Sequence, residues 1–185
     1  MFFWGASGVV FPIIVVNLLG AEPNAHFNIG TSVGGVLSII PAAIATSLFA
    51  EGSYDEAQLR DHARRSIILT FILLIPAVIL LLLLADKVLL LFGKDYSQNA
   101  TSLVRITALG TLPAAINIIY LGIKQVHKDL KTIIGLPLVI AVISIAMVYV
   151  LLPHMGILGV GVAWMIGQSC AALWIIVNLL RRWKK

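Results

Sequence analysis

The sequence predicts an all-α transmembrane protein, a six-helix bundle, and three observations carry that reading. Apolar residues fill 60% of the 185 positions and charged residues only 11%, where soluble domains carry about 25% charge. The apolar residues gather in six runs close to the ~20 residues needed to cross a ~30 Å hydrocarbon layer. Lysine and arginine gather in alternate connections between those runs. This balance excludes an ordinary soluble enzyme, and the +5 formal charge reads as membrane topology rather than as the footprint of a nucleic-acid partner.

The first run covers about 2–19 and includes Pro12 and Asn17. Met1 is followed at once by Phe2, Phe3 and Trp4, without a basic n-region or a small-residue cleavage site, so no signal peptide is expected. The chain reads as a fragment or late start of something longer. The second run, 27–50, carries Gly30, Gly34, Ser38, Ala42, Thr46 and Ala50 at every fourth position. Small residues let helix backbones approach in lipid, where no hydrophobic effect draws helices together, so this stripe predicts a close helix partner.

The connection 51–66 reads as a cytoplasmic helical loop leading into the third run, 67–85. Ser53 and Glu56 have capping-box spacing, Glu56 with Arg60 and Asp61 with Arg65 are i,i+4 pairs, and Arg64 and Arg65 suit a helix C-terminus. Between the third and fourth runs, Val88 to Phe92 is too short to cross a membrane and is expected to lie at the outer interface, with Tyr96 at headgroup level. The fourth run covers 103–123, the fifth 132–152 and the sixth 157–180. The sixth repeats the small-residue device with Gly159, Ala163, Gly167 and Ala171. One proline stands in each of the first five runs: Pro12, Pro41, Pro76, Pro113 and Pro137. Each frees a helix carbonyl that must be satisfied by neighbours or cavity water, which suits kinked helices around a wet cavity.

Charge sets the orientation. Ten of the thirteen lysines and arginines lie in the second-to-third connection (Arg60, Arg64, Arg65), in the fourth-to-fifth connection (Lys124, Lys128, Lys131) and in the basic tail 181–185. Lys87, Lys94 and Arg105 make up the other side, so both termini are expected in the cytoplasm of a multi-pass cell-membrane protein.

The chemistry inside the runs is sparse. Ser7, in Gly5-Ala6-Ser7-Gly8, is similar to the serine motif of rhomboid intramembrane proteases. A nucleophile needs a base within reach, and His26, His62, His127 and His154 all fall in connections, so Ser7 reads as a packing residue. No histidine pair has a carboxylate or cysteine at ligand spacing, Cys170 stands alone, and no phosphate-cradling glycine loop occurs, so neither a metal nor another cofactor is expected. The sequon Asn99-Ala100-Thr101 is a weak match for glycosylation. Polar residues within the runs are Asn17, Asn28, Thr31, Thr70, Arg105, Asn117 and Tyr120. Arg105 is the one charge among them, positioned either to snorkel or to meet an anionic group, and Asn117 and Tyr120 share a helix face. Arg105, Asn117, Tyr120 and Asn17 are the candidate substrate-path residues.

Several stretches together carry a family resemblance. They are Asn17-Leu18-Leu19-Gly20, Ile40-Pro41-Ala42-Ala43, Ser47 to Gly52, Leu89-Leu90-Leu91-Phe92-Gly93 with Tyr96, Leu103 to Ile106 with Ala108-Leu109, and Gly156 to Gly161. In that order and spacing the chain resembles the C-terminal half of a polysaccharide or lipid-linked oligosaccharide flippase, of the superfamily that also holds multidrug and toxin extrusion proteins. The resemblance implies two similar bundles around an alternating cavity, of which this chain is one lobe. It also implies a membrane-lipid setting, a polyprenyl-diphosphate-linked glycan as substrate, and an N-terminal six-span half or a second copy as partner, without enzymatic turnover. Two rival expectations are an ion-coupled drug or metabolite exporter of the same fold, and a non-transporting scaffold that recruits glycan-synthesis enzymes through 51–66. None of Glu22, Glu51, Asp86 or Asp129 lies in mid-span, which weighs against the exporter.

Overall fold

A computed structural model describes residues 2–55 and 58–183, with side chains described for 8–55, 58–179 and 181. Met1, Glu56, Lys184 and Lys185, and the side chains of Ser7 and Arg182, lie outside the described residues. The regular structure among the described residues is entirely helical: α1 Phe2–Leu19, α2 Ala21–Gly35, α3 Ile39–Tyr54, α4 Leu59–Leu90, α5 Lys94–Val126, α6 Leu130–Met155 and α7 Ile157–Trp183. A 3-10 turn, Val36–Ser38, joins α2 to α3, and the two form one 34-residue rod, Ala21–Tyr54. That rod and α4 to α7 are each long and apolar enough to cross a membrane, and the shorter α1 completes six rods.

All but the first and last rods overrun their apolar runs at both ends, because helix hydrogen bonding continues where hydropathy stops. Val88 to Leu90 is consequently the last turn of α4 rather than a separate interfacial segment. His26, His62 and His154 likewise sit inside α2, α4 and α6, and only His127 lies in a connection. Ser53 falls in the last turn of α3 and starts no helix. Instead Asp55 accepts hydrogen bonds from the backbone N of Gln58 (3.3 Å) and from its Nε2 (2.8 Å), just before α4 begins at Leu59.

Connections differ between the two ends of the bundle. At one end Gly20, Gly93 and Gly156 make the turns α1–α2, α4–α5 and α6–α7 with φ of 95°, 127° and 58°, values that favour glycine because a Cβ would clash there. The other end is basic and carries the α3–α4 and α5–α6 connections. There Asp129 caps α6, accepting from Thr132 N at 3.2 Å and Thr132 Oγ1 at 2.9 Å, and pairs with Lys124 Nζ at 3.0 Å.

Helix α5 is the hub, packing against α2, α3, α4 and α7. Its buried Thr107 and Thr111 donate to the carbonyls of Leu103 (2.8 Å) and Thr107 (3.0 Å), so their hydroxyls cost little away from water. The outward face of α4 shows Ile72, Leu80 and Leu83, each more than half exposed, as lipid contact requires.

The small-residue stripes divide. In α7, Gly159, Ala163, Gly167 and Ala171 are all buried; Gly159 lies against the Leu151 backbone, and Gly167 against Ser144 and Ile140 of α6. In the broken rod, Gly30 and Gly34 are buried against Ala100, Leu103 and Thr107 of α5. Ser38 is half-buried, whereas Ala42, Thr46 and Ala50 are exposed. A strict fourth-residue repeat precesses by about 40° per step on a helix of ~3.6 residues per turn, so a long stripe leaves its partner. From the 3-10 turn onward the buried line is Leu37, Pro41, Ala45, Leu48 and Gly52. Pro41 accounts for the turn: it cannot donate to the Leu37 carbonyl, and the chain tightens there.

Candidate functional site: a polar cavity beside the hub helix

Residues of α1, α2, α5, α6 and α7, with Ser38 of the 3-10 turn, line an open-sided cavity of about 400 Å³. Toward the glycine-turn end it stops at Phe11, Phe27 and Val160, which belong to an apolar cluster with Leu103, Val148 and Leu152. Toward the basic end its walls include Leu121 and Pro137. Pro12 and Pro137 both line it, which places two of the proline-freed helix turns at its edge.

The polar wall is uncharged. Asn28, Thr31 and Ser32 come from α2, Asn117 from α5, and Trp164 and Gln168 from α7. Asn117 and Gln168 are 2% and 5% exposed, so their amides must find partners within the protein or in the cavity. Asn117 Nδ2 donates to Gln168 Oε1 at 2.7 Å and to the Gln168 carbonyl at 3.0 Å. Asn117 Oδ1 receives no hydrogen bond among the described residues. Thr31 donates to the Phe27 carbonyl at 2.8 Å and keeps its oxygen lone pairs for a visitor.

Of the four substrate-path candidates only Asn117 lines this cavity. Arg105 is exposed on another face of α5, where its Nε donates to the Leu82 carbonyl of α4 at 3.2 Å. Tyr120 packs with Leu136, Ala171 and Ile175, its ring centroid 5.6 Å from Lys124 Nζ. Asn17 is exposed near the end of α1. Sequence reasoning passed over Gln168 and Trp164. Their signal was an amide and an indole in the middle of the sixth run, each next to a member of the small-residue stripe. Asn28 and Thr31 read from the sequence as polar residues within the runs, not as site residues.

Two histidines lie beside carboxylates. His26 Nε2 lies 2.6 Å from Asp95 Oδ2, with Tyr96 edge-on at 5.1 Å, and His62 Nδ1 lies 2.9 Å from Glu51 Oε2. No group of three or more metal-binding side chains occurs among the described residues. Outside the spans, the hydrogen bond from Lys124, helped by those from Thr132, lowers the Asp129 carboxyl from 3.8 to about 2.

Over 187 aligned residues the chain is 27% identical to a Shigella flexneri protein described as "Putative O-antigen transporter". The alignment covers 94% of this chain and 45% of that relative, so the chain spans about half of the relative's length. No solved structure matches it. The description of the relative is that of a transporter, not of an enzyme, and the rods described above make this a multi-pass membrane protein. The MatE family model matches residues 6–150, most of the sequence, and the chain therefore belongs to the MatE family.

Proposed function

We propose that this bundle is one lobe of a flippase that moves a polyprenyl-diphosphate-linked oligosaccharide from the cytoplasmic to the outer leaflet of the cell membrane, in polysaccharide synthesis. The observation that carries the reading is the cavity: a polar, uncharged wall inside an otherwise apolar bundle. A glycan headgroup cannot cross hydrocarbon unpaired without a cost of many kcal/mol, and such a wall replaces some of its hydration. Similarity to a protein described as an O-antigen transporter supports a glycan as cargo. The basic end faces the cytoplasm by the distribution of lysine and arginine, which puts both termini there. The cavity then reaches toward the leaflet where a lipid-linked glycan is made, with the Phe11–Phe27–Val160 cluster shutting the outer end.

The remaining wall comes from a companion lobe, either an N-terminal six-span half or a second copy. Proteoliposomes carrying the chain, alone and with a companion half, test this with a lipid-linked oligosaccharide whose exposure is read by an added lectin. Flipping that needs the companion and stops when the cavity is filled is the expected result. Lectin access equal to that of protein-free vesicles in both preparations would overturn the reading.

A further inference from the structure

We propose that the cavity beside α5 is a subsite for an uncharged sugar ring and that it turns away acidic sugars. The inference rests on the flippase reading for its choice of a sugar among uncharged polyols. Its geometry is independent of that reading. Asn117 Nδ2 occupies Gln168 Oε1 at 2.7 Å, which fixes the orientation of the Gln168 amide. Gln168 Nε2 is thereby left as a donor without an acceptor among the described residues, on a side chain that is 5% exposed and lines the cavity. That donor is open to the cavity, and beside it the buried Asn117 Oδ1 has no donor among the described residues, so a ligand hydroxyl that accepts from Nε2 and donates to Oδ1 is bound with gain.

The surrounding groups complement a sugar rather than an anion. Ser32 and Thr31 offer hydroxyls and Asn28 a second amide, a set that both donates to and accepts from sugar hydroxyls. Trp164 adds an indole, with an apolar face for ring C–H groups and an N–H donor. No lysine, arginine or histidine stands among the described lining residues, so a uronic-acid carboxylate would enter desolvated and without a cation from them. The same reasoning keeps the diphosphate outside this cavity while the ring is inside. Gln168 is thus a binding residue, and Asn117 both positions it and offers Oδ1 to the ligand.

The test uses the chain in lipid nanodiscs and saturation-transfer NMR with two probes, methyl glucoside and methyl glucuronide. The glucoside binds, and the glucuronide binds at least about tenfold more weakly, as expected for a site that offers a charge no partner. Gln168→Leu weakens glucoside binding about fivefold, the worth of one hydrogen bond. Ser32→Phe, at an exposed lining position away from the amide pair, abolishes it by filling the space and serves if Gln168→Leu fails to fold. Absence of glucoside binding, equal binding of the two probes, or indifference to Ser32→Phe would each overturn the inference. Flipping of a neutral glycan lipid without glucoside binding sinks this subsite alone, whereas glucoside binding without flipping sinks the flippase reading and leaves the subsite standing.

Discussion

Substituting alanine at two glycines of the α6–α7 hairpin separates helix contact from helix propensity. A Cβ at Gly159 would lie 2.6 Å from the Leu151 oxygen and 2.7 Å from its carbon, whereas one at Gly135 would meet nothing within 4 Å. Ordinary contact begins near 3.4 Å, so Gly159→Ala forces a displacement approaching 1 Å, and the obstacle is backbone that cannot rotate away. Gly156, at φ 58°, joins the two helices through a single residue and prevents them from spreading at that point. Overpacking of this kind costs about 1–3 kcal/mol, partly offset by the roughly 0.5–1 kcal/mol that alanine gains over glycine inside a helix. Gly159→Ala is therefore destabilised by about 1–2 kcal/mol, while Gly135→Ala is unchanged or stabilised by up to about 1 kcal/mol. The gap of about 2 kcal/mol is roughly a thirtyfold difference in unfolding equilibrium. A reversible SDS titration in mixed micelles, followed by circular dichroism, measures it. Equal stabilities, or Gly135→Ala the weaker of the two, would refute the contact argument.

Two further outcomes follow from polar groups. The Asp129 carboxyl titrates at about 2 instead of 3.8, so the stabilisation from the α6 cap is fully present above the ordinary carboxylate range and is lost as pH falls from there through about 2. Lys124→Met should raise that titration toward 3.8 in carboxyl-carbon NMR, and an unmoved midpoint would remove Lys124 as the principal cause. Arg105→Gln breaks the bond to the Leu82 carbonyl and should weaken the α4–α5 contact by about 1 kcal/mol in the same SDS titration, leaving glucoside binding intact. Loss of glucoside binding in that variant would place Arg105 on the ligand side after all.

What could be read from the sequence was whatever lipid enforces directly. Long apolar runs must be helices, since a spanning backbone has no water to bond, and the six rods follow from that. The break at Val36–Ser38 was half legible: Pro41 marks the lost hydrogen bond, but the side to which the chain tightens depends on α5. Facing direction was the weakest inference. Asn117 and Tyr120 share a sequence spacing yet serve different neighbours, Gln168 and the Leu136–Ile175 cluster, because α5 is surrounded on nearly every side. Ala42 followed a correct rule for too many turns. Arg105, conspicuous as a charge, found a backbone carbonyl on α4, while Gln168, inconspicuous beside Gly167, supplies half of the interior amide pair.

The reversals at Gly20 and Gly156 are one residue long, and that at Gly93 only slightly longer. Helices tied so tightly cannot separate where they are tied. The chain is in effect a set of clothes-pegs: α1 with α2, α4 with α5, and α6 with α7 each travel as one stiff fork, with α3 packed along the α4–α5 fork and tied to α2 through its 3-10 joint. Any rearrangement that exposes the interior to the opposite side of the bilayer must then pull neighbouring forks away from each other, along seams such as that between α1 and α6, and leave every prong beside its twin.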